Sequence, residues 1–150
     1  SANVNLLAAP HKVSIVGSRA ASDEGVRRAR KLGSLLARSR CVVVSGLAEG
    51  IDAGAHTGAV GVRGGQTIGV LGTPLQTAYP SKNARLQEHI YREHLLLSQF
   101  AAGSRVHPSN FIARNLTMAL LINAAVVVEA EDRSGTLSGS RENSREMLRI

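Results

Sequence analysis

The sequence predicts an α/β fold, a doubly wound and mainly parallel sheet with helices on both faces. Three observations predict it. Five short apolar runs recur along the chain, and most close on glycine or another small or polar residue. Segments with helix caps or helical spacing separate them, which implies right-handed strand–helix–strand crossovers. The runs are apolar at successive positions rather than alternating, as strands covered on both faces are.

Val13-Ser14-Ile15-Val16 is the first strand and stops at Gly17. Ser22 or Asp23 caps the following helix, which is expected to bury Val26, Leu32, Leu35 and Leu36. Cys41-Val42-Val43-Val44 is the second strand, ending at Ser45-Gly46, and a helix over 51–60 carries small residues that would allow close approach to the sheet. Thr67 to Leu71 is the third strand and ends at Gly72. Tyr79-Pro80 makes a turn, and Ser81 caps a polar helix to about Glu93. Leu95 to Leu97 is the fourth strand, and a long loop leads to a helix from about Ala113 to Ile122. Ala125 to Val128 is the last clear strand, and a final helix is expected near Gly135. Residues 1–11 read as an N-terminal extension and 12–150 as one domain, a length that buries roughly 70% of its unfolded surface.

Composition narrows the function classes. Hydrophobic residues make up 43% and charged residues 19%, ordinary for a globular domain. No apolar run reaches the roughly 20 residues of a membrane helix, so no membrane partner is expected. Cys41 stands alone, which excludes an intrachain disulfide or cysteine metal site and suits a reducing cytoplasm. The histidines at 11, 56, 89, 94 and 107 show no paired metal-ligand spacing, and no cofactor is implied. The net charge is +7, with 15 Arg to 3 Lys, an excess that favours polyanions as partners. Arg27, Arg28, Arg30 and Lys31 crowd the outer part of one helix, as a solubilising face does.

In doubly wound sheets ligands bind beyond the carboxyl ends of the strands, near the point where strand order reverses. That rule selects the loops after Val16, Val44, Leu71 and Val128. Gly17-Ser18-Arg19 offers a close backbone approach, a hydroxyl and a guanidinium able to grip a phosphate or carboxylate. Ser45-Gly46-Leu47-Ala48-Glu49-Gly50-Ile51-Asp52 is a glycine-flanked step into a helix, a geometry suited to an anion nest. Asp52 lies in the first helical turn, either as a cap or as a holder of Arg19 or a ligand hydroxyl. His56 reads as a satisfied helix histidine. Gly72 closes the third strand. Asn110-Phe111 and Arg114-Asn115 straddle a loop-to-helix junction, where Phe111 serves either to stack on a base or to anchor the core. Ser134-Gly135-Thr136 forms a further phosphate cradle.

Together these residues resemble the DNA-processing protein A family, DprA/Smf. The resemblance rests on Gly17-Ser18-Arg19, Ser45 to Asp52 with Ala55-His56, Thr67 to Gly72, and Tyr79-Pro80 with Asn83. It continues through Asn110-Phe111 with Arg114-Asn115, and Val127 to Ala130 with Ser134 to Leu137. The motifs fall in the family's order and span about residues 12 to 141. The resemblance implies an extended Rossmann-like fold that binds single-stranded DNA without catalysis. It also implies a role in DNA uptake and natural transformation, loading of a RecA-type recombinase, and homodimer formation. DNA contacts would come from Gly17, Ser18, Arg19, Phe111 and the Arg114-Asn115 neighbourhood, with Gly46, Gly50 and Gly72 shaping the pocket.

The chain departs from the family pattern in places. Pro108 stands where some relatives carry lysine, Gln99 follows Ser98 in place of glutamate, and 134–141 read Ser-Gly-Thr-Leu-Ser-Gly-Ser-Arg. The accessory domains and the last strand are expected to be missing, leaving a minimal core. The competing reading is a nucleotide-binding sensor, or a hydrolase of the LOG type in the wider superfamily. The hydrolase signature wants a glutamate three residues after a Gly-Thr turn, and that position is Gly139.

Overall fold

The computed structural model describes residues 3–129 and 147–149. Among the described residues, six strands form one parallel sheet in the order β4-β3-β2-β1-β5-β6. They are β1 Lys12–Gly17, β2 Val42–Ser45, β3 Thr67–Leu71, β4 Leu95–Ser98, β5 Ala124–Val128 and β6 Met147–Arg149. The helices are α1 Asp23–Arg38, α2 Ile51–Val60, α3 Ala84–Glu93 and α4 Pro108–Leu121. Strands β1 to β4 run outward in sequence, then the chain crosses back to place β5 on the other side of β1. The reversal sits between β1 and β5, and all strand carboxyl ends share one edge.

Side chains alternate between two layers. Val16, Val42, Val44, Ile68, Val70, Leu95 and Val127 pack with Met118 of α4 and with Leu6. Leu6 belongs to a 3-10 turn at Val4–Ala8, so the expected extension contributes to the core, and Asn3 N–H donates to the His94 carbonyl at 3.0 Å. The opposite layer joins Ile15, Val43, Val126 and Val128 to Ala29, Ala37, Ile51, Ala55 and Ala59 of α1 and α2. Leu47, Leu71 and Leu96 pack on Ile90 of α3.

Four expectations need correction. Helix α1 buries Gly25, Ala29, Gly33 and Ala37, while Leu35 is 49% exposed. The reason is proximity: a Cβ on Gly33 would lie 2.3 Å from the Ala55 carbonyl oxygen, and one on Gly58 2.0 Å from that of Arg30. Only residues without bulk fit there. Helix α4 starts at Pro108 rather than Ala113, because proline at the first helical turn sacrifices no backbone bond. The polar helix after Pro80 begins as a 3-10 turn, Ser81–Asn83. The sheet does not end at β5, since β6 adds a parallel edge with Met147 opposite Ala125 and Arg149 opposite Val127. The helix expected near Gly135 lies outside the described residues.

Candidate nucleic-acid interface

The loops after β1 and β2 and the length of α4 line a pocket of about 760 Å³, which runs from the carboxyl edge back along β1 to Ser14 and along α4 to Ile122. Of its lining, Arg19, Tyr79 and His107 are exposed and Phe111 and Asn115 half-buried, so these form its mouth, with Ser18 buried within. The pocket adjoins the reversal point between β1 and β5, where the sheet geometry places ligands.

Gly17 is required by packing: a Cβ there would lie 1.9 Å from the Val128 carbonyl oxygen and 2.5 Å from Ile51 Cγ1. Ser18 is buried, and its Oγ accepts from Ala20 N–H at 3.1 Å, forming a turn that leaves Arg19 exposed. Ser18 N–H donates to the Glu129 carbonyl at 3.1 Å. The Glu129 carboxylate in turn accepts from Ser22 N–H at 2.9 Å and from Ser22 Oγ, tying the β1 and β5 loops together. Those bonds hold the Glu129 carboxyl below its usual range.

The loop after β2 is bent and bracketed from several sides. Leu47 (φ 57°) and Gly50 (φ 79°) are both left-handed, and leucine bears strain in that region. Asp52 Oδ2 accepts from Gly46 N–H at 3.1 Å and Ala48 N–H at 3.4 Å. Asn83 Nδ2 donates to the Leu47 and Ala48 carbonyls at 2.9 and 3.3 Å. Arg114 Nη1 donates to the carbonyls of Gly46 at 2.6 Å and Val70 at 3.2 Å, while Nε donates to Asn115 Oδ1 at 2.9 Å. Burial pushes the Asp52 carboxyl up, and the Arg114 charge and the Ala48 and Gly46 amides pull against it. Arg114 is pushed down by burial, with Asp52 opposing. Asp52 caps no helix, since Gly50 is the N-cap of α2; its carboxylate braces the loop before the helix and lines the pocket.

Arg19 and Phe111 meet at the mouth. The Arg19 guanidinium carbon lies 5.0 Å from the Phe111 ring centroid, and that of Arg114 lies 5.8 Å from it. Tyr79, 53% exposed, completes the group with its ring centroid 5.5 Å from that of Phe111. Gly72 makes room, since a Cβ there would lie 2.6 Å from Phe111 Cδ1.

The structure therefore gathers Gly17, Ser18, Arg19, Asp52, Phe111, Arg114 and Asn115 around one pocket. Gly46 and Gly72 line a smaller recess beside it with Arg19 and Phe111. Ser45 is withdrawn from any ligand, being fully buried with Oγ donating to the Ile15 carbonyl at 2.6 Å. Asn110 is buried on α4 and lies outside the pocket lining, and Gly50 shapes the loop rather than the lining. Arg114 brackets the loops through Nε and Nη1, which bond protein acceptors, and although only 4% exposed it lines both the pocket and the smaller recess. His56 lies on α2 outside the pocket lining, fully buried, with Nδ1 2.8 Å from Thr67 Oγ1. Ser134, Gly135, Thr136 and Gly139 lie outside the described residues. Sequence reasoning passed over Tyr79 and His107 as site residues; the fixed interval from Tyr79-Pro80 to Asn83, which clamps the neighbouring loop, was the signal for the first.

The family model for DNA recombination-mediator protein A matches residues 2–148. The chain belongs to that family. It is 44% identical over 135 residues to the DNA processing protein DprA of Streptococcus pneumoniae, covering 90% of this chain and 47% of that protein. It is 46% identical over 125 residues to Protein Smf of a Synechocystis strain, covering 83% of this chain and 31% of that protein. The chain thus spans half or less of these curated relatives. Among solved structures, DprA from Streptococcus pneumoniae superposes with a TM-score of 0.92 at 41% identity, covering 99% of this chain and 53% of that one. DprA from Helicobacter pylori, described by its single-stranded DNA binding mode, gives 0.91 at 26% identity, covering 99% and 68%. The molybdenum cofactor carrier protein of Chlamydomonas reinhardtii, at 17% identity and a TM-score of 0.63, shares the Rossmann-like fold. Within the family frame, Gly17-Ser18-Arg19 and Phe111 are the motif residues that this fold brings to one mouth.

Proposed function

We propose that the carboxyl edge of the sheet binds single-stranded DNA, without chemistry on it. One observation carries the reading: Arg19 is exposed at the pocket mouth at the strand-order reversal, resting 5.0 Å above the half-buried Phe111 ring. A guanidinium there pairs with a backbone phosphate, and the Phe111–Tyr79 group offers aromatic surface to the neighbouring base. Aromatic residues make up only 3% of the chain, so phosphate contacts supply most of the affinity and binding is salt-sensitive. The description of the Helicobacter pylori relative as a single-stranded DNA binder supports the same reading.

Titration of labelled oligo(dT) across a salt series tests it. Arg19→Ala is expected to weaken binding and to flatten the dependence of log K on log salt by about 0.7. Unchanged affinity at low salt overturns the site. A role in DNA uptake and transformation, loading of a RecA-type recombinase, and homodimer formation rest on family membership. Co-sedimentation with such a recombinase on DNA and light scattering over a concentration series test the last two. A cytoplasmic location follows from the same role and is tested by fractionation.

A further inference from the structure

A second charged surface lies at the opposite edge of the sheet. Arg30, Lys31, Arg38, Arg40 and Arg63 are all exposed, and no acidic residue occurs from 25 to 48 or from 53 to 87. Glu24 pairs with Arg27 and Arg28 at the start of α1, so the ion pairing on that helix is spent before these cations begin. The tight α1–α2 contact draws the group together. A Cβ on Gly58 would strike the Arg30 carbonyl, and one on Gly65 would lie 3.2 Å from Ala37 Cβ. The turn carrying Arg63 therefore abuts the end of α1, where Arg38 closes the helix and Arg40 follows its cap.

Two features argue against a merely solvated face. Arg27, Arg30 and Lys31 stand at helical spacings where like charges repel, with no described acid interleaved after Glu24. Arg40 takes φ 61° directly after the helix cap, a position where glycine or asparagine is unstrained. A cation is thus kept where backbone preference runs against it.

We infer that this surface is a second phosphate-backbone site, which holds another segment of a single strand already gripped at the Arg19 mouth. Lys31 to Arg38 covers about 10 Å along α1, long enough to meet more than one backbone phosphate. Asp23, Glu24 and Glu129 crowd the loop between the two sites, so the strand bridges them instead of lying continuously across. The inference takes its ligand from the function proposed above, but its experiment reads out separately.

Anisotropy titrations of dT5 and dT30 with the whole chain test it. Lys31→Gln/Arg40→Asn lowers the net charge by two, as does Arg92→Glu on α3, which serves as the charge-matched control. The double variant is expected to lose about ten-fold in dT30 affinity, and about 1.4 in salt slope, while dT5 binding holds. Arg40→Asn alone is expected to raise thermal stability, showing that the fold is intact. Equal losses in the double variant and the control, or an unchanged dT30 titration, overturn the inference. Failure of Arg19→Ala to weaken dT5 would instead sink the mouth itself.

Discussion

Arg114 shows how a single buried cation can shape the site that it lines. Its Nη1 bonds to Gly46 and Val70 join the ends of β2 and β3, strands far from α4 in sequence. Gly46 is the other half of that arrangement, since a Cβ would lie 2.1 Å from Nη1 and 2.7 Å from Asp52 Oδ2. Gly46→Ala is therefore expected to destabilise the protein by about 1–3 kcal/mol, measured by urea denaturation, and to weaken oligo(dT) binding as well. Phe111→Ala is expected to cost about 1–3 kcal/mol of DNA affinity with little change in salt slope, because a stacking surface rather than a charge is removed. The glycine-serine-arginine step after β1 was legible in the sequence because its chemistry is local. The bracket role of Arg114 was not, since its acceptors lie 68 and 44 residues away.

Among the elements, the α1–α2 pair reverses an ordinary expectation. Replacing glycine by alanine within an exposed helix stabilises it by up to about 1 kcal/mol. At Gly58 the added carbon would sit 2.0 Å from the Arg30 carbonyl oxygen, so Gly58→Ala is expected to lower the melting temperature by several degrees. The same contact explains what sequence periodicity misread. Leu32 and Leu36 do pack against the core as their spacing suggests, yet the closest contact admits only glycine and alanine, and Leu35 turns outward. Strands β1 to β5 were legible because branched apolar runs have few alternative uses. Strand β6 was not, because Met147–Arg149 is three residues long and carries no pattern.

For the whole molecule, acid stability depends partly on His56. Thr67 Oγ1 donates to the Val43 carbonyl at 2.7 Å, so the His56 Nδ1–H is the donor to Thr67 and the ring is held neutral. Burial lowers its pKa to about 3 from an ordinary 6.5. The unfolded chain takes up this proton first as pH falls, so the stabilisation is complete above about 6.5 and declines down to about 3. Between pH 7 and 4.5 this residue is expected to cost on the order of 2–3 kcal/mol of stability. Urea denaturation at both values checks it, and His56→Gln should flatten the difference. The stack at the pocket mouth has a thermodynamic corollary. A long, flexible side chain normally surrenders about 2 kcal/mol of rotamer freedom when a ligand fixes it, but Arg19 already rests on an aromatic face in the free protein. Part of that ordering is complete before any partner arrives. Calorimetry should then show Phe111→Leu shifting the binding entropy unfavourably even where the charge contacts survive.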